Sequence, residues 1–181
     1  MKAIDVAVSQ LPARRSPLPT RPARFLGGLA ILALLVAASP APRDAHVEIA
    51  TATKQLQRSA QQLAAMPRTR VVLDEHGAHA TYEGTELWRL LALAGAPQGK
   101  ALHGKELTQY IVVEGLDGYR AVLALAESDP AISDRTIILA DRKNGQALSA
   151  KDGPFRLVIE REKRPARCVR QVRSIRVAAA P

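Results

Sequence analysis

The stretch Phe25–Ala38 sets the first limit on what this chain can build. It is an uncharged, apolar run of 14 residues, preceded by Lys2, Arg14, Arg15, Arg21 and Arg24 against the single acid Asp5. Pro12, Pro17, Pro19 and Pro22 come before it, and Pro40 and Pro42 follow. A membrane-spanning helix needs about 20 apolar residues, so the run is too short for a permanent anchor. The competing assignment, a buried helix of a larger domain, is opposed by the prolines on both sides. A basic segment, an apolar segment and then small residues form the layout of a secretory signal. Val36-Ala37-Ala38 places small residues at the spacing for cleavage after Ala38, whereas a cut after Ala41 would fall beside Pro42. The expected organisation is a signal peptide over 1–38, a linker over 39–46 and one domain over 47–181. The expected location is outside the cytoplasm, with the periplasm as the expected compartment and no stable membrane span after cleavage.

Removing residues 1–38 takes five of the 26 basic residues and one of the 17 acidic ones, so the net charge falls from +9 to +5. Half of the basicity therefore belongs to the leader. Cys168 is the only cysteine, so no intrachain disulfide can form, although export would permit one. The fold must rest on its hydrophobic core, which a domain of this length can supply.

Beyond the linker, Val47 and Ile49 alternate with polar residues and predict a short strand. From Thr53, the positions Leu56, Ala60, Leu63 and Ala64 predict a helix that Pro67 ends. Arg70–Leu73 predicts a strand and Asp74–Gly77 a turn. Thr85 is the expected N-cap of a helix carrying Leu87, Leu90, Leu91 and Ala94, with Gly95 and Pro97 as its stop signals. Gly99–Leu107 reads as a short helical or irregular piece. Tyr110–Glu114 and Tyr119–Leu125 flank Asp117-Gly118, a hairpin signal in which both turn positions are expected at positive φ. A short turn or helix is expected around Pro130. Thr136–Ala140 predicts a buried strand, Asn144-Gly145 a second tight turn, and Phe155–Ile159 and Val169–Val177 the last strands. Strands dominate without a βαβ rhythm, which predicts an α+β fold.

Few constellations carry chemistry. His76 and His79 lie near Asp74 and Glu75, and such a group could hold a metal. Gly77 makes the stretch a turn, however, and polar turn residues explain it better. His46 and His103 stand apart in the sequence. There is no G-x-S-x-G elbow, no Walker loop and no dinucleotide glycine pattern. Cys168 lies between Arg167 and Arg170, whose charges would favour a thiolate; an apparent strand at Cys168-Val169 favours a packing role instead. The C-terminal part carries Arg156, Arg161, Lys163, Arg164, Arg167, Arg170, Arg173 and Arg176. No aromatic residue follows Phe155, so a base-stacking platform is missing and nucleic acid is not the expected partner. Two readings of the arginines stay open. One is a solvated strand edge protected against aggregation; the other is an anion pocket, since arginine binds phosphate through a bidentate fork.

From Tyr82 onward the motif order resembles the sulfite-oxidase-type molybdopterin-binding oxidoreductase domain, especially its small stand-alone exported bacterial members. The pieces are Tyr82-Glu83-Gly84-Thr85-Glu86-Leu87-Trp88-Arg89-Leu90-Leu91, Ala94-Gly95, Asp117-Gly118-Tyr119, Leu139-Ala140, Asn144-Gly145-Gln146-Ala147-Leu148, Gly153-Pro154-Phe155-Arg156-Leu157-Val158, and Arg167-Cys168-Val169 leading to Ile175. The resemblance implies several small, mostly antiparallel sheets with two or three short helices, and molybdopterin as the cofactor. In full enzymes it also implies a molybdenum atom held by the pterin dithiolene and one protein cysteine, normally upstream of Tyr82–Gly84. Residues 39–83 contain no cysteine, and Cys168 falls where the family often has tryptophan. The segment Glu160-Arg161-Glu162-Lys163-Arg164-Pro165 also departs from the family's glycine-containing phosphate loop.

The resulting expectation is an exported, non-catalytic domain that binds a small anionic or pterin-like ligand or a protein partner. The alternative is an active molybdenum-dependent oxidoreductase with atypical ligation; a third reading is a purely structural or protein-interaction module. The resemblance carries over Arg156 and Arg167 as cofactor-binding positions, because basic residues in this region of the family face the cofactor's phosphate. No catalytic residue and no metal ligand is assigned.

Overall fold

The computed structural model describes residues 45–75 and 77–181. The expected signal peptide, the linker up to residue 44 and His76 lie outside the described residues. The first strand, β1 (His46–Ala50), pairs with β2 (Gln55–Ser59), and a short helix α1 (Ala60–Ala64) follows. Strands β3 (Thr69–Glu75) and β4 (Ala78–Glu86) form a hairpin leading into α2 (Leu87–Leu93). Two 3-10 turns, Gly99–Ala101 and Gly104–Thr108, connect to the hairpin of β5 (Gln109–Gly115) and β6 (Arg120–Ala124). After a 3-10 turn at Leu125–Ser128 come β7 (Ile137–Lys143), β8 (Gln146–Ala147) and β9 (Arg156–Ile159). A last 3-10 turn, Pro165–Arg167, precedes β10 (Val172–Ala179).

The strands form two five-stranded sheets. The first has the order β2-β1-β10-β5-β6, antiparallel except for the parallel pair β1–β10. The second runs β3-β4-β7, with β8 and β9 sharing the far edge of β7. Few helices and mostly antiparallel sheets make this an α+β fold, as expected. Side-chain alternation explains the first sheet: Val47, Ile49, Ile111, Val113, Ile175 and Val177 are buried on one face while intervening residues are more open. In β7 and β9 the pattern changes to unbroken burial, Ile137–Ala140 facing Arg156–Ile159. That is the signature of strands covered on both faces. Helix α2 inserts Leu87, Leu90 and Leu91 into the same core, and each such burial stabilises by roughly 1.5–3 kcal/mol. Among the described residues, no helix is long and apolar enough to cross a membrane.

Several local expectations are corrected. The helix expected from Thr53 begins only at Ala60, because Gln55–Ser59 is taken up as the edge partner of β1. Ser59 then caps α1 in a capping box with Gln62. The turn expected at Asp74–Gly77 is shorter: Asp74 and Glu75 continue β3, opposite His79 and Ala78. Thr85 does not cap α2; it ends inside β4 with its hydroxyl on the Leu63 carbonyl, and Glu86 holds the N-cap position. At Asp117-Gly118 only Gly118 takes positive φ, while the Asp117 carboxylate accepts the Tyr119 N–H. At Asn144-Gly145 both residues are at positive φ, as a two-residue hairpin requires.

Gly84 marks the tightest backbone approach. It sits at the register shift between β4 and β7, where an added Cβ would overlap the backbone of Leu139 and Ala140. Gly118, by contrast, has open space around it and is constrained by φ alone. Gly84→Ala should therefore cost about 3 kcal/mol or more, and Gly118→Ala about 1–2 kcal/mol. Urea denaturation of the two variants checks the order; equal costs would mean that the β4–β7 bulge relaxes freely.

Candidate functional site

Arg156 opens β9 at the end of Gly153-Pro154-Phe155, and its side chain is 1% exposed. A guanidinium removed from water this completely must be matched by anions and hydrogen bonds. Glu75, at the end of β3, provides the main match, with Arg156 Nη2 2.7 Å from Glu75 Oε1. Arg156 Nη1 donates to the Tyr82 hydroxyl, which donates in turn to Glu75 Oε2 at 3.0 Å. Lys143, at the end of β7, reaches the same oxygen at 2.6 Å. The guanidinium and the ammonium both lie over the Tyr82 ring, 5.0 and 5.3 Å from its centroid. Asp152 Oδ1 stands 3.6 Å from Arg156 Nη1 and 2.9 Å from Arg170 Nε, without hydrogen-bond alignment to either. Among the described residues, Arg156 Nε has no hydrogen-bond partner.

This network ties together β3, β4, β7 and β9. Burial alone would raise the Glu75 carboxyl, but Lys143 and Arg156 override it and hold its pKa at about 2. Burial is also the main cause that raises the Tyr82 phenol.

Arg167 belongs to a second, more open cluster, with its side chain 32% exposed. Its Nε and Nη2 grip Glu162 as a fork, at 3.2 and 2.8 Å, and Nη1 donates to Glu127 at 3.2 Å. Arg135 reaches the same two carboxylates, at 3.4 Å from Glu162 and 3.9 Å from Glu127. Arg156 and Arg167 therefore sit in separate ion-pair clusters that share no partner.

The cations beside Cys168 in sequence turn away from it, Arg167 to Glu162 and Arg170 to Asp152. Cys168 follows the 3-10 turn and lies outside any strand, yet it is buried, so its packing role stands. Burial pushes its thiol pKa up, which reverses the thiolate tendency expected from its neighbours. His79 faces Asp74 across the β3–β4 hairpin, and among the described residues no group of three His, Cys, Asp or Glu side chains is placed to hold a metal.

Among the described residues, two concave regions are of interest. A groove of about 550 Å³ runs along the first sheet beside β1 and β10, with Leu116, Pro154, Val172 and Arg176 among its walls. A cleft of about 170 Å³ lies between Glu86, Trp88 and Arg135. There the Glu86 carboxylate accepts from both Trp88 Nε1 and Arg89 Nε, and Arg89 stacks on the indole.

Glu75 has a folded pKa below its unfolded one. It therefore stabilises the fold above the ordinary glutamate value of 4.5, and that contribution is lost as pH falls from there towards 2. Glu75→Gln should cost about 3 kcal/mol at neutral pH by leaving Arg156 undercompensated. It should also flatten the pH dependence of stability between pH 4.5 and 2. Denaturation midpoints measured across that range check both; an unchanged slope would remove Glu75 from the network's energetics.

Comparison with known proteins places this geometry in a family. Residues 55–181 match the family described as the oxidoreductase molybdopterin binding domain. Among solved structures, the sulfane dehydrogenase SoxCD from Paracoccus pantotrophus superposes with a TM-score of 0.56 at 21% identity, over 75% of this chain and 38% of that one. That likeness concerns the fold, and the chain spans well under half of its structural relative. None of the curated proteins compared matches it. The matched span covers more than half of the sequence, and the chain belongs to the oxidoreductase molybdopterin-binding domain family.

Proposed function

We propose that this chain is an exported, non-catalytic member of its family that binds a small anion, a pterin-like ligand or a partner protein. The observation that carries the reading is the state of its one thiol. Molybdenum held by a protein ligand of this family's kind needs a thiolate that reaches the cofactor. Cys168 is 4% exposed and its pKa is raised by burial. The donor set therefore does not fit thiolate-held molybdenum, and no redox step is assigned to this chain. Family membership still makes molybdopterin a candidate ligand.

The test is a single preparation from the native host. Protein from the exported fraction should begin within a few residues of Ser39 and contain only substoichiometric molybdenum. Cys168→Ser should leave the metal content unchanged and cost at most about 1–2 kcal/mol. Stoichiometric molybdenum that disappears in Cys168→Ser would establish the alternative, an oxidoreductase with atypical ligation.

Arg156 and Arg167 enter this reading unequally. Arg156 is enclosed, so we assign it to holding β9 behind a ligand surface and not to direct contact. Arg167 is open enough to meet an anion, which would displace Glu127 from Nη1. A charge-assisted contact contributes roughly 1.5–3 kcal/mol, so Arg167→Ala should weaken the binding of inorganic pyrophosphate about tenfold or more. Arg173→Ala is the control for general charge. Equal small losses from both substitutions, vanishing at high salt, would show a diffuse basic surface.

A further inference from the structure

The basic series of the C-terminal part is largely neutralised from within. Arg156 is matched by Glu75, Arg167 by Glu127 and Glu162, Arg170 by Asp152, and Arg173 by Glu114, which also takes Arg120. Arg161 lies by Glu160 and donates to the Asp134 carbonyl. Arg176 differs. Its side chain is exposed on β10 and, like those of Lys163 and Arg164, makes no ion pair or hydrogen bond with another described residue. It is also the uncommitted cation that lines the 550 Å³ groove, a volume within the roughly 300–1,000 Å³ range of small-molecule sites.

The groove has two chemical halves. Val172, Pro154 and the 61%-exposed Leu116 form an apolar part. Along β10, Arg173, which is held by Glu114, forms a polar part with Ser174 and Arg176, and Glu48 is paired to Ser174 in the sheet register. An uncommitted guanidinium at one end of an apolar trough selects a molecule with a charged head and a hydrophobic body. Glu48 on the same face opposes a second negative charge.

We propose that this groove binds a soluble amphiphilic monoanion, such as a free medium-chain carboxylate, with its head on Arg176 and its chain on Leu116, Pro154 and Val172. The groove shares no residue with the Arg156 or Arg167 clusters. Failure here therefore leaves the reading of Cys168 standing, and failure there leaves the groove standing.

The test is calorimetric titration of the full chain with decanoate, held below its micelle concentration. One decanoate per chain should bind, and decyltrimethylammonium should not. Arg176→Gln should weaken decanoate about tenfold or more, and Arg176→Lys should restore most of the affinity. Leu116→Ser should weaken it several-fold, whereas Arg164→Gln, an exposed cation outside the groove, should leave it unchanged. Both groove side chains are exposed, so thermal midpoints should hold and separate binding from folding. The proposal fails if decanoate gives no heat, if many molecules bind per chain, or if the ammonium binds equally well. It also fails if Arg164→Gln costs as much as Arg176→Gln, or if only phosphatidylglycerol vesicles are bound.

Discussion

The buried charge of Arg156 is the constraint around which the second sheet is arranged. A guanidinium this enclosed is tolerated only where carboxylates and hydroxyls surround it. The chain supplies them from strands that must already be in register: Glu75 from the end of β3, Tyr82 from the middle of β4 and Lys143 from the end of β7. A slip of one residue in any of these strands would turn the partner to the opposite face. The ion pairs thus specify the sheet's pairing more than they stabilise it, while the leucines, isoleucines and valines of the common core contribute most of the burial energy.

The same arrangement holds the family framework together from within. The hairpins, the α2 helix and the β7–β9 pair are held by apolar packing and by this internal network. Carboxylates hold both Arg156 and Arg167, the two positions expected from the resemblance to face a phosphate. Glu162 and Glu127 hold Arg167, and Glu162 comes from the segment 160–165 that was expected to depart from the family's glycine-containing loop.

What could be read from the sequence follows the range of the interactions. Helix α2 was legible because Leu87, Leu90 and Leu91 carry a local period, and the Asn144-Gly145 turn because both residues tolerate positive φ. The Thr53–Ala64 stretch was misread because Gln55–Ser59 takes its structure from β1, a partner that no periodicity within the stretch reveals. At Cys168 the packing role favoured from the sequence holds, and the competing thiolate tendency does not operate, because Arg167 and Arg170 adjoin it in sequence but direct their charges elsewhere. Arg156 was singled out through the Gly-Pro-Phe-Arg piece, yet its partners Glu75, Tyr82, Lys143 and Asp152 come from four separate segments, so no spacing announced them. The groove escaped notice because its walls come from both ends of the domain.

The parallel pairing of β1 with β10 has a consequence for how the molecule is made. Glu48 sits opposite Ser174, so the β1–β2 ribbon joins the first sheet through a strand far downstream in the chain. β10 is also the central strand of that sheet, flanked by β1 and β5. The β1–β2 and β5–β6 hairpins close locally, but β1–β2 cannot join the sheet until β10 lies between β1 and β5. Such distant pairing slows folding. It makes β10 the clasp that closes the first sheet.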